Sequence, residues 1–163
     1  MSDELDMLDF ERAFLADVLE VLGRRLSELE SHVDRHHPEE SYLFDPMEHL
    51  AGVGIVAAQR YLASVCKWLS VSKTDALQLG PQRRGVAVAA VVNAVANYWK
   101  HIEDERPIRP STRKTLEQIG VVLDSSYCVS NALYECGYQN FKGLLDDLVS
   151  WRNAVLEHAR AKA

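Results

Sequence analysis

Leu8, Leu15, Leu22 and Leu29 recur every seven residues, with Glu11, Val18, Arg25 and His32 in the row beside them. That narrow apolar seam predicts a helix from just after Ser2 to about Asp34, extended late by Leu26 and Val33. Gly23 weakens its middle without breaking it. His36-His37-Pro38-Glu39-Glu40 marks the first connection. A second helix then starts with Asp45 as cap, Pro46 in the first turn and Glu48 at the capping-box position. It reads MEHLAGVGIVAAQRYLASVCKWL, apolar on nearly every side, and is expected at the centre. Its small residues Ala51, Gly52, Gly54, Ala57 and Ala58 let a neighbouring helix approach closely.

Ser72 is placed to cap a short helix, with Asp75 three residues on, ending near Gly80-Pro81. A third long helix, about Val86 to Asp104, opens almost purely in Val and Ala. Valine is a mediocre helix former, so neighbours must bury this segment. Pro107 and Pro110 stop it. Further helices are expected from a Ser111 cap to Gly120, from about Ser125 to Cys136, and from near Asn140 almost to the C-terminus. Leu144, Leu145, Leu148, Trp151, Val155 and Ala159 form the stripe of the last. No stretch alternates long enough to suggest a strand. The expected fold is all-α: a bundle of about five long helices plus one or two short ones, forming a single domain over 1–163.

With 163 residues, 47% hydrophobic and 26% charged, the composition is that of an ordinary globular chain. A net charge of −6 argues against a DNA-binding surface, which needs clustered cations. Cys66, Cys128 and Cys136 are odd in number and lack paired spacing, so neither a disulfide framework nor a zinc site is expected. MSDELDMLDFE lacks the basic and apolar segments of a signal peptide, and no run is long enough to span a membrane. The protein is therefore expected in the cytoplasm, in contact with neither membrane nor DNA.

Two patterns carry candidate chemistry. Asn93, Asn97, Lys100, His101 and Asp104 fall on one side of an otherwise apolar helix. Such a stripe is either a hydrogen-bonded network that fixes helix register or a polar groove for a ligand or partner. The second pattern is Arg152-Asn153-Ala154-Val155-Leu156-Glu157-His158. It resembles the motif of HEPN domains: an Arg, often followed by a polar residue such as Asn, then a His after four to six intervening residues. HEPN domains are helical bundles, and many are metal-independent ribonucleases of toxin–antitoxin and antiviral systems. The resemblance implies His158 as general acid or base and Arg152 as the group that stabilises charge on the phosphate. It assigns Asn153 to orienting them. It also implies RNA as substrate and is compatible with a homodimer. Equally, Arg and His near a helix C-terminus offset the helix dipole.

His32, His36, His37 and His49 lie near Glu39, Glu40 and Glu48, but no metal-site motif joins them, and neither metal nor cofactor is expected. With other enzyme signatures absent, the leading expectation is a small acidic interaction protein that binds a partner protein, of immunity, antitoxin or adaptor type. The alternative is a HEPN-like ribonuclease.

Overall fold

The structure is a computed structural model and describes residues 2–36, 44–102, 107–123 and 127–162. The chain folds as an all-α bundle. Helices α1 (Ser2–His36), α2 (Phe44–Trp68), α4 (Val88–Lys100) and α7 (Leu144–Lys162) are long. Helices α3 (Lys73–Ala76), α5 (Pro110–Gln118) and α6 (Cys128–Glu135) are short, and a 3₁₀ turn, Gln139–Phe141, precedes α7. Among the described residues the long helices are thus four and the short ones three, against about five long and one or two short expected.

Helix α4 is central: Val88, Ala89, Val92, Val95 and Ala96 are sealed from solvent, and the helix packs on α2, α5, α6 and α7. Tertiary burial overrides the modest helix propensity of valine here. On α1 the inward row is Leu15, Leu19, Leu22, Leu26 and Leu29, packed against α2. Leu19 joins the heptad leucines because a straight helix at 3.6 residues per turn buries a wider stripe than a strict heptad row. Leu8 lies outside the residues whose side chains are described.

The glycine patch of α2 serves contacts inside the bundle. A Cβ on Gly52 would collide with the Trp99 ring, and one on Gly54 with the Phe141 ring. Both aromatic rings lie directly on the α2 backbone, a contact possible only over glycine.

The last helix begins at Leu144 rather than near Asn140, and Asp45 lies in the first turn of α2 rather than at its cap. Two further expectations about helix starts are corrected. The third long helix begins at Val88 rather than Val86, because Gln82–Arg83 (β1) and Val86–Ala87 (β2) form a small antiparallel hairpin. Its two-residue loop, Arg84-Gly85, has positive φ at both positions (49° and 75°), as a type I′ turn requires. Both arginines clamp the hairpin to the bundle. Arg83 Nε donates to Asp147 Oδ2 at 2.8 Å, and Arg84 Nε donates to the carbonyl of Glu135 at 3.0 Å. Glu135 ends α6, so Arg84 also satisfies an orphan carbonyl at that negative helix end. The second correction concerns α5. Pro110 takes its first position, the cap falls to Arg109, and Ser111 lies inside the first turn. The Arg109 side chain makes no cap hydrogen bond.

Glu48 also departs from its expected role. It does not close a capping box on its own helix but is buried against the start of α6. Its Oε1 accepts from Val129 N at 2.7 Å, and its Oε2 accepts from Ser130 N at 2.9 Å and Ser130 Oγ at 2.6 Å. The cap position of α6, Tyr127, makes no side-chain cap bond, so Glu48 caps that helix from a distance of 82 residues in sequence.

Candidate functional site

The polar stripe of α4 meets one buried residue that the sequence did not single out. Gln59, on α2, donates through Nε2 to Asn93 Oδ1 at 3.1 Å and Asn97 Oδ1 at 2.9 Å. Its Oε1 accepts from Lys100 Nζ at 2.6 Å. Burial lowers the Lys100 pKa, and the nearby Lys73 lowers it further. Asn93, Asn97 and Lys100 are therefore joined in one network that ties α2 to α4. A lone glutamine in the Ala-Ala-Gln-Arg run of an apolar helix was the signal for it.

His101 is exposed and sits beside this network. Asp104 lies outside the described residues. Beyond the network, the C-terminal end of α4 and the start of α5 enclose a cavity of about 360 Å³. Asn97, His101, Arg109 and Thr112 line it with polar groups, and Tyr98, Ile102, Pro107 and Ile108 with apolar ones. Two of the stripe residues thus reach a cavity, while Asn93 and Lys100 do not line it.

The Arg152 motif has a different setting. Arg152 Nη1 donates to Asp9 Oδ1 at 2.9 Å, and Nη2 donates to Asn153 Oδ1 at 3.3 Å. Its side chain is only 17% exposed. Beneath it the Tyr61 hydroxyl is buried against the Arg152 guanidinium. Burial raises the Tyr61 pKa against the opposing pull of Arg152 and Arg12. His158 continues the row Leu144, Leu148, Trp151 and Val155, and its Nε2 is sealed from solvent without a partner. At 3.6 residues per turn, Arg152 and His158 point roughly 120° apart around α7. The structure brings Arg152 and Asn153 together but does not join His158 to them by a hydrogen bond. None of the three lines the cavity.

Of the histidine-rich stretch, His37 lies outside the described residues, and so does the side chain of His36. His49 packs edge-on against Trp99, centroids 6.3 Å apart. Among the described residues no three or more His, Cys, Asp or Glu side chains are grouped to hold a metal. No helix among them is long and apolar enough to cross a membrane.

Among the described residues, α1 carries a second apolar row, and this one is exposed. Phe10, Phe14 and Val21 on α1 are 67%, 58% and 61% exposed. With Asp17 they stand at positions i, i+4, i+7 and i+11, a second row roughly 130° from the buried one. This row lies in the most acidic part of the chain. Residues 1–21 hold seven acids and one base, which equals the whole net charge of −6, while the other residues hold seventeen of each sign. Glu20 is paired with Arg24, and Asp9 with Arg152. Asp17 is exposed and has no ion-pair partner among the described residues. The chain matches no family model, no curated protein and no solved structure.

Proposed function

We propose that the protein is a non-catalytic interaction module that binds a partner protein through the outer face of α1. The observation that carries this reading is the row Phe10, Phe14, Asp17 and Val21. Two phenylalanines and a valine stand exposed on one strip of α1, away from its buried leucine row. Scattered exposed apolar residues are ordinary, but a heptad-spaced row is the surface that a second helix or an apolar groove covers. Asp17 at its centre, without an ion-pair partner among the described residues, and the acidic flanks select a partner that brings apolar side chains and a Lys or Arg to that row. Charge complementarity of this kind speeds encounter and fixes register.

Affinity capture with the wild type, Phe14→Ala and Asp17→Lys, followed by titration of the captured protein in purified form, tests the proposal. Both substitutions lie on exposed positions and leave the core intact. Removing a central aromatic anchor is expected to weaken binding at least tenfold, a change of about 1.4 kcal/mol. Asp17→Lys is expected to weaken it more at low salt than at high salt. Equal affinity of all three proteins would overturn the assignment.

A further inference from the structure

We infer, resting on the reading of the α1 face as the partner surface, that its occupant is a single basic amphipathic helix of the partner protein. That helix lies alongside α1 as in a two-stranded coiled coil and carries a Lys or Arg in the layer that meets Asp17.

Phe10, Phe14, Asp17 and Val21 are separated by four, three and four residues. This is the alternation of d and a positions in a heptad, with Phe10 and Asp17 at d and Phe14 and Val21 at a. The same register assigns Arg24 to the next d and Glu28 to the next a, and both are exposed. The apolar seam therefore ends after Val21. From Phe10 to Val21 it runs roughly 16 Å, a length that about two heptads of a partner helix span.

The flanks distinguish a helix from a groove. The inner side of α1 is committed to α2 through its leucines. Beside the seam, Glu11 and Val18 are half-buried on one flank, while Ala13 and Glu20 are exposed on the other. A helix sunk into an apolar groove presents an apolar stripe about 100° wide or more, whereas an a/d seam is narrower. The outer face of α1 is such a narrow seam, edged by Glu11 and Glu20, and one helix matches it by knobs-into-holes packing. The small Ala13 lets the partner backbone come close.

Charge selects the partner helix. Asp17 lies in the seam itself, and Glu11 and Glu20 stand at the e and g positions that form interhelical pairs. Among the described residues neither Asp17 nor Glu11 has an ion-pair partner. Glu20 is paired with Arg24 on the exposed surface, an interaction weak enough to exchange. Two copies of α1 do not suit each other. In parallel they set Asp17 against Asp17; antiparallel they set it against Phe14, and either way they bring two acidic segments together. A helix with Lys or Arg at the facing layer and along its flanks answers all three acids.

Three synthetic three-heptad peptides test this against the full-length protein at physiological salt. The first has Leu at a and d, Lys at e and g, and Lys in one central d layer. The second differs only by Glu in that layer. The third has the composition of the first, rearranged so that its leucines alternate with polar residues as in a strand. Binding is followed by the amide shifts of Phe10 to Val21, and peptide helicity by circular dichroism. The first peptide is expected to move these amides, to gain helix on binding and to bind at least tenfold tighter than either of the others. Phe14→Ala is expected to weaken it at least tenfold, and Asp17→Lys to reverse the preference between the first and second peptides. Equal binding of the first and third peptides, an unchanged ranking in Asp17→Lys, or no shift with any peptide would overturn the helix assignment. The surface itself stands or falls separately, by affinity capture with Phe14→Ala: a Phe14-dependent partner together with peptides that fail refutes the helix and not the surface.

Discussion

Replacing Glu48 by Ala removes the side chain that, among the described residues, caps α6 at its N-terminus. The carboxylate accepts three hydrogen bonds, at 2.7, 2.9 and 2.6 Å, in a residue 7% exposed. Loss of an ordinary exposed cap costs about 0.5–2 kcal/mol. Hydrogen bonds to a charged group contribute about 1.5–3 kcal/mol, and two backbone donors would be left with little access to water. These terms overlap, so the expected cost of Glu48→Ala is about 3 kcal/mol. Glu48→Gln keeps one accepting oxygen and loses the charge at the helix end, which puts it at about 1–2 kcal/mol. For a chain of this size 1 kcal/mol shifts the melting temperature by about 2–4 °C, so Glu48→Ala should melt about 6–12 °C lower. Urea unfolding of Glu48→Ala, Ser130→Ala and the double variant gives the coupling directly, and about 1 kcal/mol or more is expected between them. If Glu48 instead served its own helix, the two substitutions would be additive. Additivity, or a Glu48→Ala cost below about 0.5 kcal/mol, would refute the reasoning.

Gly54→Ala is expected to destabilise by about 1–2 kcal/mol, since the collision with Phe141 exceeds the gain in helix propensity; a rise in the urea midpoint would contradict the contact. Gln59→Met should cost about 2 kcal/mol, because Asn93, Asn97 and Lys100 lose a shared partner; an unchanged midpoint would mean that the network contributes nothing. Burial, with a smaller push from Glu48, raises the Cys128 thiol to about 12, and burial raises Cys136 to about 11 against the pull of Arg84 and Arg83. The neutral thiols are favoured in the folded state, so their contribution is complete below the ordinary value of 9.0 and is lost as pH rises from there through 11 to 12. Urea midpoints across that window should fall less steeply for Cys128→Ala/Cys136→Ala than for the wild type, and identical slopes would refute the point. RNA incubated with the protein in EDTA is expected to stay intact, because Arg152 is held by Asp9 and turned away from His158; cleavage abolished by Arg152→Ala/His158→Ala would reverse that conclusion.

The parts of the fold legible from the residues were those set by local periodicity. Leu15, Leu22 and Leu29 marked the buried side of α1, and Leu144, Leu148, Trp151 and Val155 that of α7, because burial repeats with the helix. Gly52 and Gly54 signalled a close approach, but nothing near them in sequence named Trp99 or Phe141. Capping was less readable. A Glu three residues after Asp45 has the spacing of a capping box, yet spacing does not say whose N–H groups a carboxylate will reach, and Glu48 reaches α6. Arg84-Gly85 was a turn signal overlooked beside the Val-Ala run that follows it. At the candidate sites, Asn93 and Asn97 were placed on one face by their four-residue spacing, while Gln59 was missed because its role depends on a helix 34 residues away. Phe10 and Phe14 were passed over because a single seam already accounted for α1. A second row at the same spacing appears only once the buried side is known.

The most direct test of the α1 interface is photo-cross-linking in living cells with benzoylphenylalanine placed at position 14, and at position 134 as control. Phe14 and Tyr134 are both exposed aromatics, 58% and 65%, but only Phe14 belongs to the row on α1. The expected result is an adduct with one distinct protein from position 14 that is absent from position 134 and lost when Asp17→Lys is added. No adduct at position 14, the same adduct from both positions, or an adduct only with a second copy of this chain would contradict it.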